Sequence, residues 1–309
     1  MLDVLAITIP FFAMIFLGAG GKAIGFINED GAKMLSRFAF FVALPPFMFL
    51  SVASNDVTEF FNFGFLWRYE VTTIIIFAVS GLIGRGLFAL SRKEAGIFGL
   101  NNAYPNYGYI GIPMTIMAFG EEAALPMGLM LFADTVVLLG MTAIFIAGDG
   151  RNPFKVLGNI LLTMAKNPLV QSVVAALIYA SSGVEMPALL ERLLELLAGA
   201  AAPAALFALG ATMYGQPIRA AAGQISSVSL IKLIIHPALV AALFLLIPGQ
   251  DILWVKVAIM AACLPVAANV YMLSQVYETY VGRTASSVLA STVLATFTVP
   301  VILYLVTLL

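Results

Sequence analysis

Residues 101–113 read Asn-Asn-Ala-Tyr-Pro-Asn-Tyr-Gly-Tyr-Ile-Gly-Ile-Pro and lie between two apolar stretches. Three asparagines, two glycines and two prolines in thirteen residues are poor material for an unbroken helix. Pro105 and Pro113 each lack a backbone N–H and clash with the preceding turn. Gly108 and Gly111 let the chain bend or let another segment come close. In hydrocarbon a broken helix strands polar backbone groups, at a cost of roughly several kcal/mol each. Such a break is tolerated only where it lines a water-filled cavity or touches a solute. The plainer reading is a proline-kinked helix in a bundle, whose three asparagine amides then need partners of their own.

The hydrocarbon setting follows from composition. Hydrophobic residues make up 62% of the chain and charged residues 10%, with a mean hydropathy of +1.04. A soluble domain carries roughly 45–50% apolar and about 25% charged residues. The apolar runs are far longer than a barrel strand of about ten alternating residues, so the fold class is an all-α integral membrane protein. The formal net charge of −1 gives no global field for nucleic acid. The lone Cys263 excludes an internal disulfide and any multi-cysteine metal site. No metal and no cofactor is expected. The first apolar run follows Met1-Leu2-Asp3 without a basic lead and reads as a retained span.

Ten spans are expected, near 4–21, 34–54, 64–90, 95–118, 124–147, 167–182, 199–214, 226–247, 252–276 and 284–308. The sixth and seventh are short for a core about 30 Å thick. Amphipathic lead-ins at 153–165 and 186–198 either lie at the interface or extend those helices. Glu191, Arg192 and Glu195 in the second lead-in read as a solvated face. Basic residues set the orientation. Lys22, Lys33, Arg37, Arg85, Arg92, Lys93, Arg151, Lys155, Lys166, Arg219 and Arg283 lie in or near odd-numbered loops, against Arg68, Arg192, Lys232 and Lys256 elsewhere. That bias puts the odd loops in the cytoplasm and both termini outside, in the inner (plasma) membrane of the cell. Asp56, Glu59, Glu121, Glu122 and Asp251 then fall on the outer side.

A repeat shows at an offset of 157 residues. Ala133-Asp134-Thr135-Val136 matches Ala290-Ser291-Thr292-Val293, and Pro46 matches Pro203. The same offset lays the fourth-span break over Leu264-Pro265-Val266-Ala267-Ala268-Asn269-Val270, where proline and asparagine again interrupt an apolar run. The chain therefore divides into a first five-helix repeat at 1–147, a cytoplasmic connection at 148–166 and a second repeat at 167–309. Five spans is an odd number, so the second copy is inverted. Inverted repeats with a discontinuous helix in each half mark secondary transporters, with the solute site at the repeat interface near the midplane.

These residues carry a family resemblance. Pro105-Asn106-Tyr107-Gly108-Tyr109-Ile110-Gly111-Ile112-Pro113 resembles the Asn…Gly-Ile-Pro signature of the auxin efflux carrier family. That family includes plant PIN-type auxin transporters and bacterial carriers of malonate and other organic acids. Residues 264–277 and 287–300 are similar to its C-terminal pattern, and the likeness runs over essentially the whole chain. The resemblance implies two inverted five-helix repeats, a scaffold and a transport domain, a crossing of broken helices four and nine, and a homodimer through spans two and seven. It singles out Asn106 as the substrate asparagine. In the plant members a proline marks the second crossover, where this chain has Val270.

A crossed pair of broken helices aims half-helix N-termini, with their partial positive charge and free N–H groups, at the midplane. Asn106 adds an amide that donates to a carboxylate or accepts from a protonated acid. Asn269 is the expected counterpart, Asn102 is a further lining residue, and Tyr107 and Gly108 complete the expected substrate-binding set. Tyr107, Tyr109 and Tyr271 supply aromatic walls or simply pack. Pro113 and Pro265 set the breaks, with Gly111 and Val270 at the crossover.

Asp134, ten or more residues from either end of its span, is the candidate for coupling or else a hydrogen-bonded structural acid. Lys232 and His236, four apart on one helix face, form a relay. Otherwise Lys232 snorkels to the interface and His236 satisfies a carbonyl freed by Pro237. Glu70, near Arg68, reads as interfacial, and no two adjacent membrane acids stand out. The function read from the residues is alternating-access transport of small organic anions across the bilayer. The alternative is a sodium- or proton-coupled symporter or exchanger of the same architecture. One His and one Cys leave no cluster for an enzyme's metal or nucleophilic triad, and no stretch reads as a sensor's soluble output domain.

Overall fold

The computed structural model describes residues 2–54, 62–147, 158, 162, 165–215 and 221–309. Asp56, Glu59, Arg151, Lys155, Arg219 and most of the 148–166 connection, with its 153–165 lead-in, lie outside the described residues. Within them the chain is helical and no strand forms.

In chain order the helices are α1 (Leu2–Ala23), α2 (Glu29–Ala53), α3 (Phe63–Gly86), α4 (Arg92–Ala103), α5 (Tyr107–Phe119), α6 (Ala124–Ala147), α7 (Pro168–Ser182), α8 (Ala188–Met213), α9 (Ala222–Leu246), α10 (Ile252–Cys263), α11 (Ala268–Val276) and α12 (Val281–Thr307). Seven helices among the described residues are long and apolar enough to cross a membrane: α1, α2, α3, α6, α8, α9 and α12. Shorter apolar helices, α5, α7 and α10, stand at the expected fourth, sixth and ninth spans. The seventh span is not short. Its lead-in continues into it as one helix of 26 residues, α8.

Local chemistry starts and bends these helices. Ser91 and Glu94 close a reciprocal capping box on α4, with Glu94 N donating to Ser91 Oγ at 3.3 Å and Ser91 N to Glu94 Oε2 at 2.9 Å. Asn167 caps α7 and Asp251 caps α10. Three helices carry a widened π-type turn, at Ala39–Ala43, Tyr107–Gly111 and Ile231–Ile235. Each is followed within two residues by a proline: Pro45, Pro113 and Pro237. The proline's missing N–H and ring clash are absorbed by loosening the turn before it rather than by ending the helix.

The contacts divide the chain into two units, each drawn from both halves of the sequence. Unit one holds α1, α2, α5, the start of α6 through Leu129, α7 and α8. Here α1 and α8 meet backbone to backbone. A Cβ on Gly210 would lie 1.8 Å from Ile15 O, and one on Gly18 would lie 2.0 Å from Phe207 O. Small residues at such a crossing are what let membrane helices pack without a hydrophobic driving force. α2 lies against both α7 and α8.

Unit two holds α3, α4, α6 from Met130 and α9 to α12. α3 packs on α4 and α9, and α12 runs against α9, α10 and α11. At one end Phe65 sits edge-on to Trp254, with ring centroids 4.9 Å apart. Arg68 donates to Gly64 O and, at 3.2 Å, to Ile247 O. At the other end Arg283 reaches Glu94 at 3.5 Å and lies over the Tyr280 ring. Many large apolar side chains face outward, Leu82, Phe297 and Leu246 among them, as a lipid-facing surface requires.

Candidate functional site

Two helices of unit two end inside the protein rather than at its surface. α4 stops at Ala103, and Tyr104 turns extended (φ −85°, ψ 112°). α10 stops at Cys263, and Leu264 turns extended in the same way (φ −63°, ψ 149°). The two interruptions meet. Pro105 and Val266 form an antiparallel bridge, in which Asn106 N donates to Pro265 O at 3.0 Å and Ala267 N donates to Tyr104 O at 3.3 Å. Each break thus satisfies backbone groups that the other has freed. Val266 N donates to Ser291 Oγ at 3.1 Å, and Ser291 Oγ in turn donates to Val288 O. Ser291 is the residue 157 positions after Asp134. The prolines fit this scheme, because Pro105 and Pro265 sit where the chain is already extended and offer only a carbonyl.

The expected site residues fall as follows. Asn106 is buried, 2% exposed, and ends the first interruption. Asn269 is half-buried in the first turn of α11, directly after the second. Asn102 is fully buried in the last turn of α4; its Nδ2 donates to Phe98 O at 2.7 Å, and its Oδ1 has no hydrogen-bond partner. Asn101 donates to Ile97 O and to Thr284 Oγ1 on α12. Val270 is buried, and its N–H bonds back to Ala267 O. Tyr107, Gly108, Gly111 and Pro113 belong to unit one, all buried. Gly108 faces Leu169. Pro113 lies in the first full turn after the widened segment, and the interruption itself is centred on Pro105.

Beside the paired breaks lies a group of buried ionisable side chains. Asp134 on α6 and Lys232 and His236 on α9 are all 0% exposed. Lys232 does not snorkel. Its Nζ donates to Ala262 O, in the last turn of α10, at 2.8 Å and contacts His236 Nδ1 at 3.2 Å. When Lys232 carries its proton the ammonium only donates, so His236 Nδ1 is then the acceptor and the imidazole proton sits on Nε2. Nε2 faces Thr73 Oγ1 at 3.4 Å, and Thr73 passes its own proton to Tyr69 O. His236 therefore pairs with side chains rather than with a freed carbonyl. Asp134 interacts electrostatically with Lys232 and with Tyr104. The Tyr104 hydroxyl donates to Thr135 Oγ1 at 3.0 Å, since Thr135 gives its own proton to Leu131 O.

Glu70 corrects the sequence reading. It does not lie on a solvated face: it is 7% exposed, and its carboxyl interacts with that of Asp134. Two membrane acids therefore stand together, 64 residues apart in the chain, although no span shows them side by side. The signal available in the sequence was position: Glu70 lies seven residues into a helix that begins at Phe63, on the opposite face from Arg68, which turns toward Ile247 O. Among the described residues no group of three or more His, Cys, Asp or Glu is placed to hold a metal ion.

Comparison with known proteins settles the family. The model of the family described as "Membrane transport protein" matches residues 4–152 and 147–303. The chain belongs to this family. The transporter is 32% identical, over 99% of its own length and 97% of the relative's, to a Rhizobium meliloti protein named, provisionally, a malonate transporter. It is 24% identical to an uncharacterized transporter of Methanocaldococcus jannaschii, over 90% of this chain and 91% of that one. It is also 24% identical to the uncharacterized transporter YfdV of Escherichia coli, over 93% and 92%. The resemblance to the auxin efflux carriers is borne out. The transporter is a multi-pass membrane protein and its relatives are transporters, not enzymes.

Proposed function

We propose that the chain is a secondary transporter of small organic anions, carboxylates of the malonate-like or auxin-like kind, working by alternating access where the two interrupted helices meet. The observation that carries this reading is the antiparallel bridge of Pro105 and Val266, with Asn106 at its edge and α11 starting directly after it. A helix start presents N–H groups and partial positive charge. Asn106 and Asn269 add neutral amides, and together these suit a carboxylate without the cost of a fixed buried cation. The name of the Rhizobium meliloti relative supports a dicarboxylate as one substrate class.

In this reading the spans number ten, arranged as inverted repeats 1–147 and 167–309 joined by a cytoplasmic connection, with both termini outside the inner (plasma) membrane. Unit two is the transport domain and unit one the scaffold, and the protein is a homodimer. Asn106, Asn269 and Asn102 bind substrate, with Tyr107 and Gly108 following in the chain. Gly111, Pro113, Pro265 and Val270 shape the crossover. With a negative interior, a potential of about 100 mV favours export of a monoanion by about 2.3 kcal/mol, so efflux needs no coupled ion and import does. A second reading, a proton- or sodium-coupled symporter or exchanger, is favoured by the buried Asp134, Lys232 and His236.

The test is uptake of labelled malonate and indole-3-acetate by liposomes containing the wild-type protein or Asn106→Ala. Asn106→Ala is expected to lower transport at least tenfold while the protein remains monodisperse. Unchanged rate and affinity would overturn the site.

A further inference from the structure

The ionisable group beside the breaks carries more than a general suggestion of coupling. Glu70 and Asp134 bring two carboxyls together and Lys232 brings one ammonium. His236 is neutral, because its Nδ1 accepts from Lys232. The other titratable side chains that face the group are Tyr69 from α3, whose ring lies 6.3 Å from that of His236, Tyr104 from the end of α4 and Cys263 from α10. Phenols and thiols in water are neutral near pH 7. α12 turns hydroxyls, those of Ser291 and Thr292, inward and no charge. With both acids ionised the group carries one net negative charge inside the bilayer. With one proton added it is neutral. An unbalanced buried charge is costly, and two neighbouring carboxylates resist double ionisation. Both Glu70 oxygens are buried, and the side chain they engage is the carboxyl of Asp134, another acid.

We infer that Glu70 and Asp134 share one exchangeable proton, and that this proton enters with the transported carboxylate, making the protein a proton–anion symporter. The direction of coupling follows from charge. Lys232 ties the group to Ala262, three residues before Pro265, so its net charge is felt where the breaks meet. An anion binding there is repelled by the unprotonated group and not by the neutral one. Proton and anion therefore bind with positive cooperativity, and by linkage each raises the other's affinity equally. His236 and Thr73 extend a hydrogen-bonded line from Lys232 back to α3, the helix that carries Glu70, and they set Lys232 in place rather than carry the proton. Glu70 is a coupling residue. It is outside the substrate-binding set and has no part in the proposed function as stated above, on which this inference rests.

The test uses purified protein in liposomes loaded with a pH-sensitive dye, without sodium, with the potential clamped at zero by potassium and valinomycin. Exchange of labelled malonate or indole-3-acetate across equal concentrations reports transport alone. An acidic exterior reports coupling. The expected result is exchange in the wild type, accumulation driven by the pH gradient, and acidification of the lumen with anion entry. Glu70→Gln is expected to keep exchange within about threefold and to lose gradient-driven accumulation at least tenfold. Exchange with no response to the pH gradient overturns the symport inference and leaves the transport reading standing. No exchange of either acid overturns the transport reading. The shared proton then has its own readout in infrared spectra of the wild-type protein at neutral pH. A protonated-carboxyl band, lost in Glu70→Gln/Asp134→Asn, is expected; no such band in the wild type overturns the inference, whether or not the variant folds.

Discussion

Lys232 shows how much one buried side chain holds. Its ammonium neutralises part of the acid pair, fixes the His236 tautomer and satisfies Ala262 O at the end of α10. Removing a single partner from a buried charged group typically costs about 3–5 kcal/mol, because the remaining charge is stranded. Lys232→Met should therefore lower the melting temperature in detergent by several degrees. Adding Asp134→Asn should recover most of that loss, because the stranded charge goes with it. Equal and additive losses in the two single variants would show that the residues act independently. The sequence identified Asp134, Lys232 and His236 as candidates because ionisable residues in apolar runs are rare. It left open whether Lys232 snorkels, since a four-carbon stem reaches either water or an interior carbonyl, and only the neighbours decide.

At the scale of elements, prolines act in two ways that look alike in the sequence. Pro45, Pro113 and Pro237 follow widened turns in helices that continue. Pro105 and Pro265 sit in extended segments that pair with each other. What separates the two is whether a second freed segment is at hand to take up the backbone groups, and that is a tertiary fact. The interruption near 101–113 and its echo at 264–270 were legible as polar and proline-containing gaps in apolar runs. Their mutual hydrogen bonds were not. The α1–α8 crossing gives the prediction at this scale. Gly210→Ala places a methyl where Ile15 O stands and forces the helices apart. It should lower thermal stability clearly more than Gly20→Ala, whose Cβ meets nothing within 4 Å. Equal melting temperatures for the two variants would mean that the close approach is not retained in the membrane.

For the molecule as a whole, the orientation proposed from the basic residues is checked by tagging each end. Both tags should react with a membrane-impermeant reagent in intact cells, and protection of either would reverse or break the ten-span topology. Much of this architecture could be read from the chain alone. Apolar runs long enough to span a bilayer fix helices, because every backbone group in lipid must bond within its own segment. That constraint is local, so most of the helices lie within a few residues of the expected spans, while α8 begins at Ala188, eleven residues before the expected start. The family resemblance too is most specific in contiguous stretches, residues 105–113 and 264–277. The tertiary structure decided which distant residues share one interior. It set Glu70 beside Asp134, aimed Lys232 at Ala262, and grouped the helices into two units that each take members from both halves of the sequence. Spacing along a helix tells which residues share a face, but not which other helix that face meets.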